Sequence, residues 1–241
     1  MPESVIAVRT TRIFCREGCP AKPKPENRLV MTSGAEALLA GYRPCKRCHP
    51  LHEEGKGPRP DGPVVTLARI ETPLGPMIAA VSGEELVLLE FGDRRMVPTQ
   101  FKRLATLLRC RFEVFETPLH AEVRRQLEQY FAGSRDQFDI PMATPGTAFQ
   151  QAAWDALRRI PPGETRSYAE QAVAIGRPQA VRAVAKANGD NRIAILIPCH
   201  RVIGSDGDLT GYGGGIWRKK ALLERESAQA KGGAQLAFAD R

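Results

Sequence analysis

The chain holds 241 residues, of which 42% are apolar and 6% aromatic, and it carries a formal charge of +8. That length fits one large domain or two to three small ones, and that composition excludes the fibrous and disordered classes. No apolar run approaches the ~18 residues of a membrane-spanning helix, and Met1-Pro2-Glu3-Ser4 opens without the basic stretch and apolar core of a secretory signal. A cytoplasmic protein with no membrane partner is expected, whose six cysteines serve metal binding or catalysis rather than disulfides. Residues 1–60 hold 11 basic and 6 acidic groups, residues 141–226 hold 12 and 8, and residues 61–140 hold 10 and 12. A polyanionic partner met by the two basic ends explains this distribution; solvated surface charge explains it equally well.

The first segment, residues 1–50, contains four of the six cysteines. Cys15-x3-Cys19 and Cys45-x2-Cys48 form two close pairs 26 residues apart, the spacing of a closed tetrahedral zinc site with four thiolate ligands. A segment of this size buries little core, so a metal supplies much of its folding energy. On spacing alone a purely structural zinc is favoured over chemistry. His49 and His52 follow Cys48, but four cysteines already fill the site, and both are expected to be solvent-exposed loop residues. Residues 51–63, rich in Pro and Gly, read as an extended linker.

Residues 64–143 carry an αβ pattern. Val64–Ile70, Met77–Val81 and Leu86–Phe91 are short Val/Ile/Leu-rich strands, separated by the turn signals Thr72-Pro73-Leu74-Gly75 and Ser82-Gly83-Glu84. Helical spacing predicts helices over 98–108 and 120–131, with a strand at 111–115 between them and Cys110 in packed core. Residues 144–228 read as helical. Phe149, Ala153, Trp154 and Leu157 share a helix face, and Pro161-Pro162-Gly163 stops that helix. Ser167 and Glu170 form a capping box at the start of a helix ending near Ile175. Gly176-Arg177-Pro178 then turns the chain into a second helix over 179–187. The pair has the form of a helix-turn-helix, or of an ordinary helical hairpin. Residues 229–241 read as a flexible tail.

Ile193–Ile197 is an apolar run leading into Pro198-Cys199-His200-Arg201-Val202. The proline pushes Ile197 toward extended geometry, and Cys199 is predicted at the end of a buried segment. Two groups able to hold positive charge stand beside it. A thiolate is the reactive form of cysteine, and a nearby imidazole can take the thiol proton. Neighbours in a strand point to opposite sides, so such a relay runs through a water. The glycine-rich stretch 204–215 lacks the ending of a phosphate-binding loop. It reads as a wall around a flat ligand, with Tyr212 available to stack. A last helix covers 217–225.

At these residues the sequence resembles the O6-alkylguanine-DNA alkyltransferases, over about Thr66 to Glu226. Ile197–Val202 carries the resemblance together with Glu71–Gly75, Thr147–Gln150, Ser167-Tyr168, Ala180–Val184 and Asn188–Asn191. The resemblance implies a ribonuclease-H-like αβ domain followed by a helical, winged helix-turn-helix-like alkyltransferase domain. It also implies a single-turnover transfer of the alkyl group of O6-alkylguanine, in double-stranded DNA, to Cys199. His200 is then the base working through water, Glu226 the carboxylate that orients it, and Asn191 the brace of the loop around the cysteine. Tyr168 turns the 3′ phosphate of the target nucleotide. Arg182, with Ala183 beside it, contacts the DNA from the minor groove and fills the space left by the flipped base. Tyr212 and Gly213 line the substrate pocket. A monomer without an organic cofactor is expected.

The first segment is similar, through Ala7–Arg16 and Glu36–Cys48, to the N-terminal module of the Ada family. That resemblance implies one zinc held by Cys15, Cys19, Cys45 and Cys48, and Cys15 as a second acceptor that takes a methyl group from a DNA phosphotriester. The fold class expected is thus α+β multidomain, with a small zinc-bound module first. The Ada family places an AraC-type regulatory domain between its two repair halves; here residues 51–63 alone occupy that place, so a transcriptional role is not carried over. The alternative is a non-catalytic DNA-lesion binding or Ada-like transcriptional regulatory protein, and the presence of Cys199 weighs against it.

Overall fold

A computed structural model describes residues 4–52 and 62–230. Residues 53–61 of the predicted linker and 231–241 of the predicted tail lie outside the described residues. The chain divides into two compact units, one of Met1–Glu71 and Pro76–Ala121, the other of Thr72–Gly75 and Glu122–Arg241.

The first unit opens with β1 (Val5–Val8), β2 (Ile13–Arg16), β3 (Arg28–Met31), α1 (Gly34–Leu39) and β4 (Arg43–Pro44). They form a sheet in the order β3-β1-β2-β4, with β4 parallel to β2 and the other pairs antiparallel. Ser33 starts α1 by accepting the Glu36 N–H at 3.1 Å, satisfying one of the amides that a helix leaves open at its N-terminus. Phe14, Ala37 and Tyr42 fill a small core.

A second sheet follows: β5 (Val64–Ile70), β6 (Met77–Ser82), β7 (Glu85–Phe91) and, after α2 (Val97–Leu108), β8 (Arg111–Val114). Its order is β7-β6-β5-β8, with two antiparallel hairpin pairs and a parallel β5–β8 pair. The helical return through α2 is what a parallel neighbour requires. β6 and β7 are buried on both faces, which is why their sequences run apolar without alternation. α1 packs against β6, and a Cβ on Gly92 would lie 2.2 Å from Leu39. Cys110 is fully buried, as its apolar context predicts.

His52 departs from expectation. It is 4% exposed, its Nε2 lies 2.8 Å from the carbonyl of Cys110, and its ring lies 5.4 Å from that of Phe112. The turn after Cys48 passes through His49 at a φ of 44°, and Arg16 holds the carbonyls of both His49 and His52. A side chain expected in water is thereby turned inward, where the bond to Cys110 offsets its desolvation. His49 is half-buried.

The second unit contains α3 (Pro118–Phe131) from residue 122 onward, α4 (Ala148–Arg158), β9 (Arg166–Ser167), α5 (Tyr168–Ala174), α6 (Val181–Gly189), β10 (Val202–Ile203) and α7 (Ile216–Ala230). Full capping boxes start α4, from Thr147 and Gln150, and α5, from Ser167 and Glu170. α6 begins at Val181 rather than at Gln179 because the Ala180 N–H closes a turn onto the Arg177 carbonyl at 2.8 Å. A reciprocal side-chain pair, Gln171 with Asn188 at 3.0 and 2.6 Å, fixes α5 on α6, and the Trp154 indole donates to the Ala187 carbonyl at 2.8 Å. β9 and β10 pair in parallel. Among the described residues no helix is long and apolar enough to cross a membrane.

Candidate active site

The apolar run before Cys199 is buried, as predicted. Residues 193–197 fold into a tight turn with Ile195 at a φ of 72°, an unusual conformation for a β-branched residue. Asn191 over-determines it. The Asn191 Oδ1 accepts the Ile193 N–H at 3.0 Å, and its Nδ2 donates to the Ile197 carbonyl at 2.9 Å and to Cys199 Sγ at 3.3 Å. One side-chain amide thus supplies partners that a neighbouring strand would otherwise provide, and it also touches the thiol. Cys199 sits half-buried at the start of a single 3-10 turn, Cys199–Arg201.

His200 and Glu226 are fully buried and bonded, Nε2 to Oε1, at 2.9 Å. Arg201 grips the same carboxylate with Nε at 2.8 Å and Nη2 at 2.9 Å, the Gly163 N–H donates to Oε2 at 3.3 Å, and the Tyr130 hydroxyl donates to Oε1 at 2.8 Å. Burial pushes the Glu226 carboxyl up, yet His200 and Arg201 outweigh it and hold the group well below the usual carboxylate range. Burial lowers His200, and Glu226 offsets only part of that shift. An ionised Glu226 with a neutral His200 fixes the proton on Nε2 and leaves Nδ1 as the basic nitrogen. Nδ1 is buried and has no hydrogen-bond partner among the described residues.

Tyr168 begins α5 half-buried. Its hydroxyl donates to the Thr210 carbonyl at 3.3 Å, and its pKa is raised by burial and by Cys199. A Cβ on Gly211, which adopts a φ of +69°, would lie 2.6 Å from that hydroxyl, so the loop closes on Tyr168 only with glycine there. Tyr212 is buried, edge-on to His200 at 6.4 Å, and Gly213 beside it is exposed. Arg182 and Ala183 lie on the exposed face of α6.

The four cysteines of the first unit converge. Their sulfurs lie within 4.8 Å of one another, close to the ~3.8 Å spacing that a tetrahedral zinc with bonds of about 2.3 Å imposes. Crowded together, the thiols cannot all ionise alone. Hydrogen bonding to Cys48 and burial push Cys15 far up, while hydrogen bonding to Cys15 draws Cys48 down to about 5. A bound dication removes that conflict and lets all four be thiolates, so the donor set fits zinc. The four are not equivalent. Cys48 accepts the Arg16 N–H at 3.3 Å, Cys45 the Arg47 N–H at 3.4 Å, and Cys19 a backbone bond from Ala21. Cys15, 2% exposed, is hydrogen-bonded to the side chains of Cys48, Cys45 and Cys19.

Comparison with known proteins follows the same division. The metal binding domain of Ada matches residues 3–51, and the ribonuclease-like domain of 6-O-methylguanine DNA methyltransferase matches residues 65–144. The DNA binding domain of 6-O-methylguanine DNA methyltransferase matches residues 148–228. A methylated-DNA–protein-cysteine methyltransferase of Methanosarcina barkeri is 46% identical over 160 residues, which is 65% of this chain and 94% of the relative. The chain belongs to the methylated-DNA–protein-cysteine methyltransferases. A member from Mycobacterium bovis is 47% identical over 164 residues, 67% of this chain and 92% of its own. The crystal structure of Mycobacterium tuberculosis OGT in complex with DNA matches with a TM-score of 0.58 at 43% identity, over 69% of this chain and 94% of that one. The N-terminal module of this chain is of the Ada metal-binding type, and Cys15, Cys19, Cys45 and Cys48 form its zinc site.

Arg201 and Lys219 are among the residues of this methyltransferase site that the sequence alone did not reveal. Arg201 is a clamp on Glu226, not merely a neighbouring charge. Lys219 is fully buried; its Nζ donates to the Val202 carbonyl at 2.5 Å and the Thr210 carbonyl at 2.6 Å, and burial lowers it to about 8 while Cys199 raises it. The signal was present in the spacing. Lys219, Leu222 and Glu226 fall on one face of α7, and charged residues at core positions of an amphipathic helix mark an internal polar site.

Proposed function

We propose that this methyltransferase repairs O6-alkylguanine in double-stranded DNA by moving the alkyl group irreversibly to Cys199, and methylphosphotriesters by moving the methyl group to Cys15. The observation that carries the first assignment is a half-buried thiol, bonded to Asn191, that directly precedes a fully buried His200–Glu226 pair.

Glu226 holds the Nε2–H of His200, so Nδ1 takes the thiol proton through a bridging water. The Asn191 amide and the Lys219 ammonium stabilise the resulting thiolate. The thiolate attacks the alkyl carbon in line; the S–C bond forms as the C–O6 bond breaks, and the proton taken from the thiol returns to the departing guanine. A thioether is a poor leaving group, so each molecule acts once. The alkyl carbon is out of reach inside a stacked duplex, and the nucleotide must be flipped. Arg182, flanked by Ala183, enters the minor groove and fills the space left in the stack, which offsets part of the unstacking cost of a few kcal/mol. Tyr168 turns the 3′ phosphate, and Tyr212 and Gly213 border the flipped base.

Zinc bound by Cys15, Cys19, Cys45 and Cys48 keeps those thiolates deprotonated at neutral pH. Cys15 is assigned as the acceptor among them: among the described residues, backbone N–H groups of Arg16, Arg47 and Ala21 donate to the sulfurs of Cys48, Cys45 and Cys19, whereas Cys15 is bonded to the other cysteines. Its methylation removes one negative charge from the cluster. We assign residues 1–50 to the zinc module, 51–63 to the linker, 64–143 to the ribonuclease-H-like domain, 144–228 to the DNA-binding active-site domain and 229–241 to the tail, in a cytoplasmic monomer.

Intact and peptide mass spectrometry after mixing with a duplex carrying one O6-methylguanine tests the proposal. One methyl group on the Cys199 peptide, lost in Cys199→Ser, is the expected result. Binding without transfer would instead support a lesion-binding protein. A methylphosphotriester duplex decides Cys15 in the same way.

A further inference from the structure

Glu226 accepts more donors than the orientation of His200 requires. Three of them share Oε1: His200 Nε2 at 2.9 Å, Arg201 Nη2 at 2.9 Å and the Tyr130 hydroxyl at 2.8 Å. Tyr130 stands 96 residues earlier, on α3, and is fully buried with the Arg225 guanidinium 3.6 Å from its ring centre. We propose that Tyr130 is a positioning residue for methyl transfer, whose hydroxyl shares Oε1 of Glu226 with His200 and so sets how strongly the carboxylate holds the imidazole.

The inference rests on the reading of Cys199 as acceptor and His200 as its base. Burial and Glu226 hold the Tyr130 phenol well above its ordinary pKa, so it acts only as a donor in this pair. A carboxylate oxygen that serves three donors has less charge to offer each of them. Without the phenol, Glu226 stabilises the imidazolium more strongly, and His200 becomes protonated at higher pH. The charged and titratable groups facing His200 are Glu226 and Lys219 from α7, Arg201 and Cys199 from its own turn, and Tyr212 from the glycine-rich loop. Tyr130 reaches it through Glu226, with Arg225 beyond. Tyr130→Phe changes one of these contacts and keeps the ring under Arg225.

The test is the single-turnover rate of methyl transfer from an O6-methylguanine duplex by Tyr130→Phe and by the wild-type protein, between about pH 5 and 9. The acid limb of the variant is expected to move up by about 0.5–1 pH unit, with a threefold to tenfold lower rate on that limb, and the plateau largely retained. A limb that stays in place overturns the proposal. Loss of folded protein lowers the amount that reacts, not the rate constant, so it does not imitate this shift. NMR titration of His200 without DNA supplies a second reading. An upward pKa shift in Tyr130→Phe agrees with the proposal, and none or a downward one contradicts it. In the Glu226→Gln background the same substitution should move nothing; a shift that persists there sinks transmission through Glu226. If wild-type Cys199 takes no methyl group, the underlying reading fails, and the NMR titration still decides the coupling of Tyr130 to His200.

Discussion

The two proposed acceptors, Cys199 and Cys15, have surroundings that differ in kind. Around Cys199 stand the Asn191 amide, the buried Lys219, and His200 bonded through Nε2 to Glu226. Around Cys15 stand three more sulfurs, all four within 4.8 Å of one another. A thiolate can therefore be stabilised by a prepared internal polar network or by a metal charge. The first method needs deep burial and long-range contacts, and the second needs only a short stretch of chain. Under the proposed function, the difference explains how a module with so small a core can offer a reactive thiol.

The comparison breaks most visibly under Cys199→Ser. Transfer from O6-methylguanine should vanish while transfer from a methylphosphotriester to Cys15 continues; O6-derived methyl on Cys15 would show that the two acceptors are not separate. Chelation of zinc should do the reverse, abolishing the Cys15 reaction and lowering the melting temperature, with little change in the Cys199 rate constant. His200→Ala should slow Cys199 by about 10²–10⁴, the usual contribution of a general base, and leave Cys15 untouched.

A smaller effect separates the sites by pH. His200 must be neutral to accept a proton, and burial depresses its pKa below the ordinary 6.5. The Cys199 rate should be at its plateau at neutrality and fall only as pH drops through that depressed value, whereas a zinc-held thiolate at Cys15 should have no limb in that window. Stability follows Glu226 in a different range. Its folded pKa is depressed, so its contribution is complete above its ordinary 4.5 and declines as pH falls further, which acid titration of the melting temperature would reveal. The smallest effect concerns His52. Its replacement by Ala leaves the Cys110 carbonyl without this partner and should cost about 1–3 kcal/mol in a denaturant melt, with both acceptor reactions retained.

Much of the fold was legible because its elements announce themselves locally. Val64–Ile70 has the same bounds in sequence and structure, and the Ser167–Glu170 box begins α5 where its spacing predicts. The turn at 193–197 was not legible. Periodicity cannot distinguish a buried strand from a buried turn, and here one side chain, Asn191, makes the difference. Motifs singled out Cys199, His200 and Glu226, and the fold brings these three together. The rest depends on distance in the chain: Tyr130 meets Glu226 across 96 residues, and His52 meets Cys110 across 58. Nothing local marks such a partner, because each looks like an ordinary helix or loop residue until the fold closes.

Gly92 bears on how a variant at that position would behave. Leu39 occupies the space where a larger residue would put its first carbon, so α1 and the end of β7 meet without a side chain of residue 92 between them. Gly92→Ala has room only if the Leu39 side chain gives way, and the cost falls on the packing of a helix that lies, in sequence, between the two cysteine pairs.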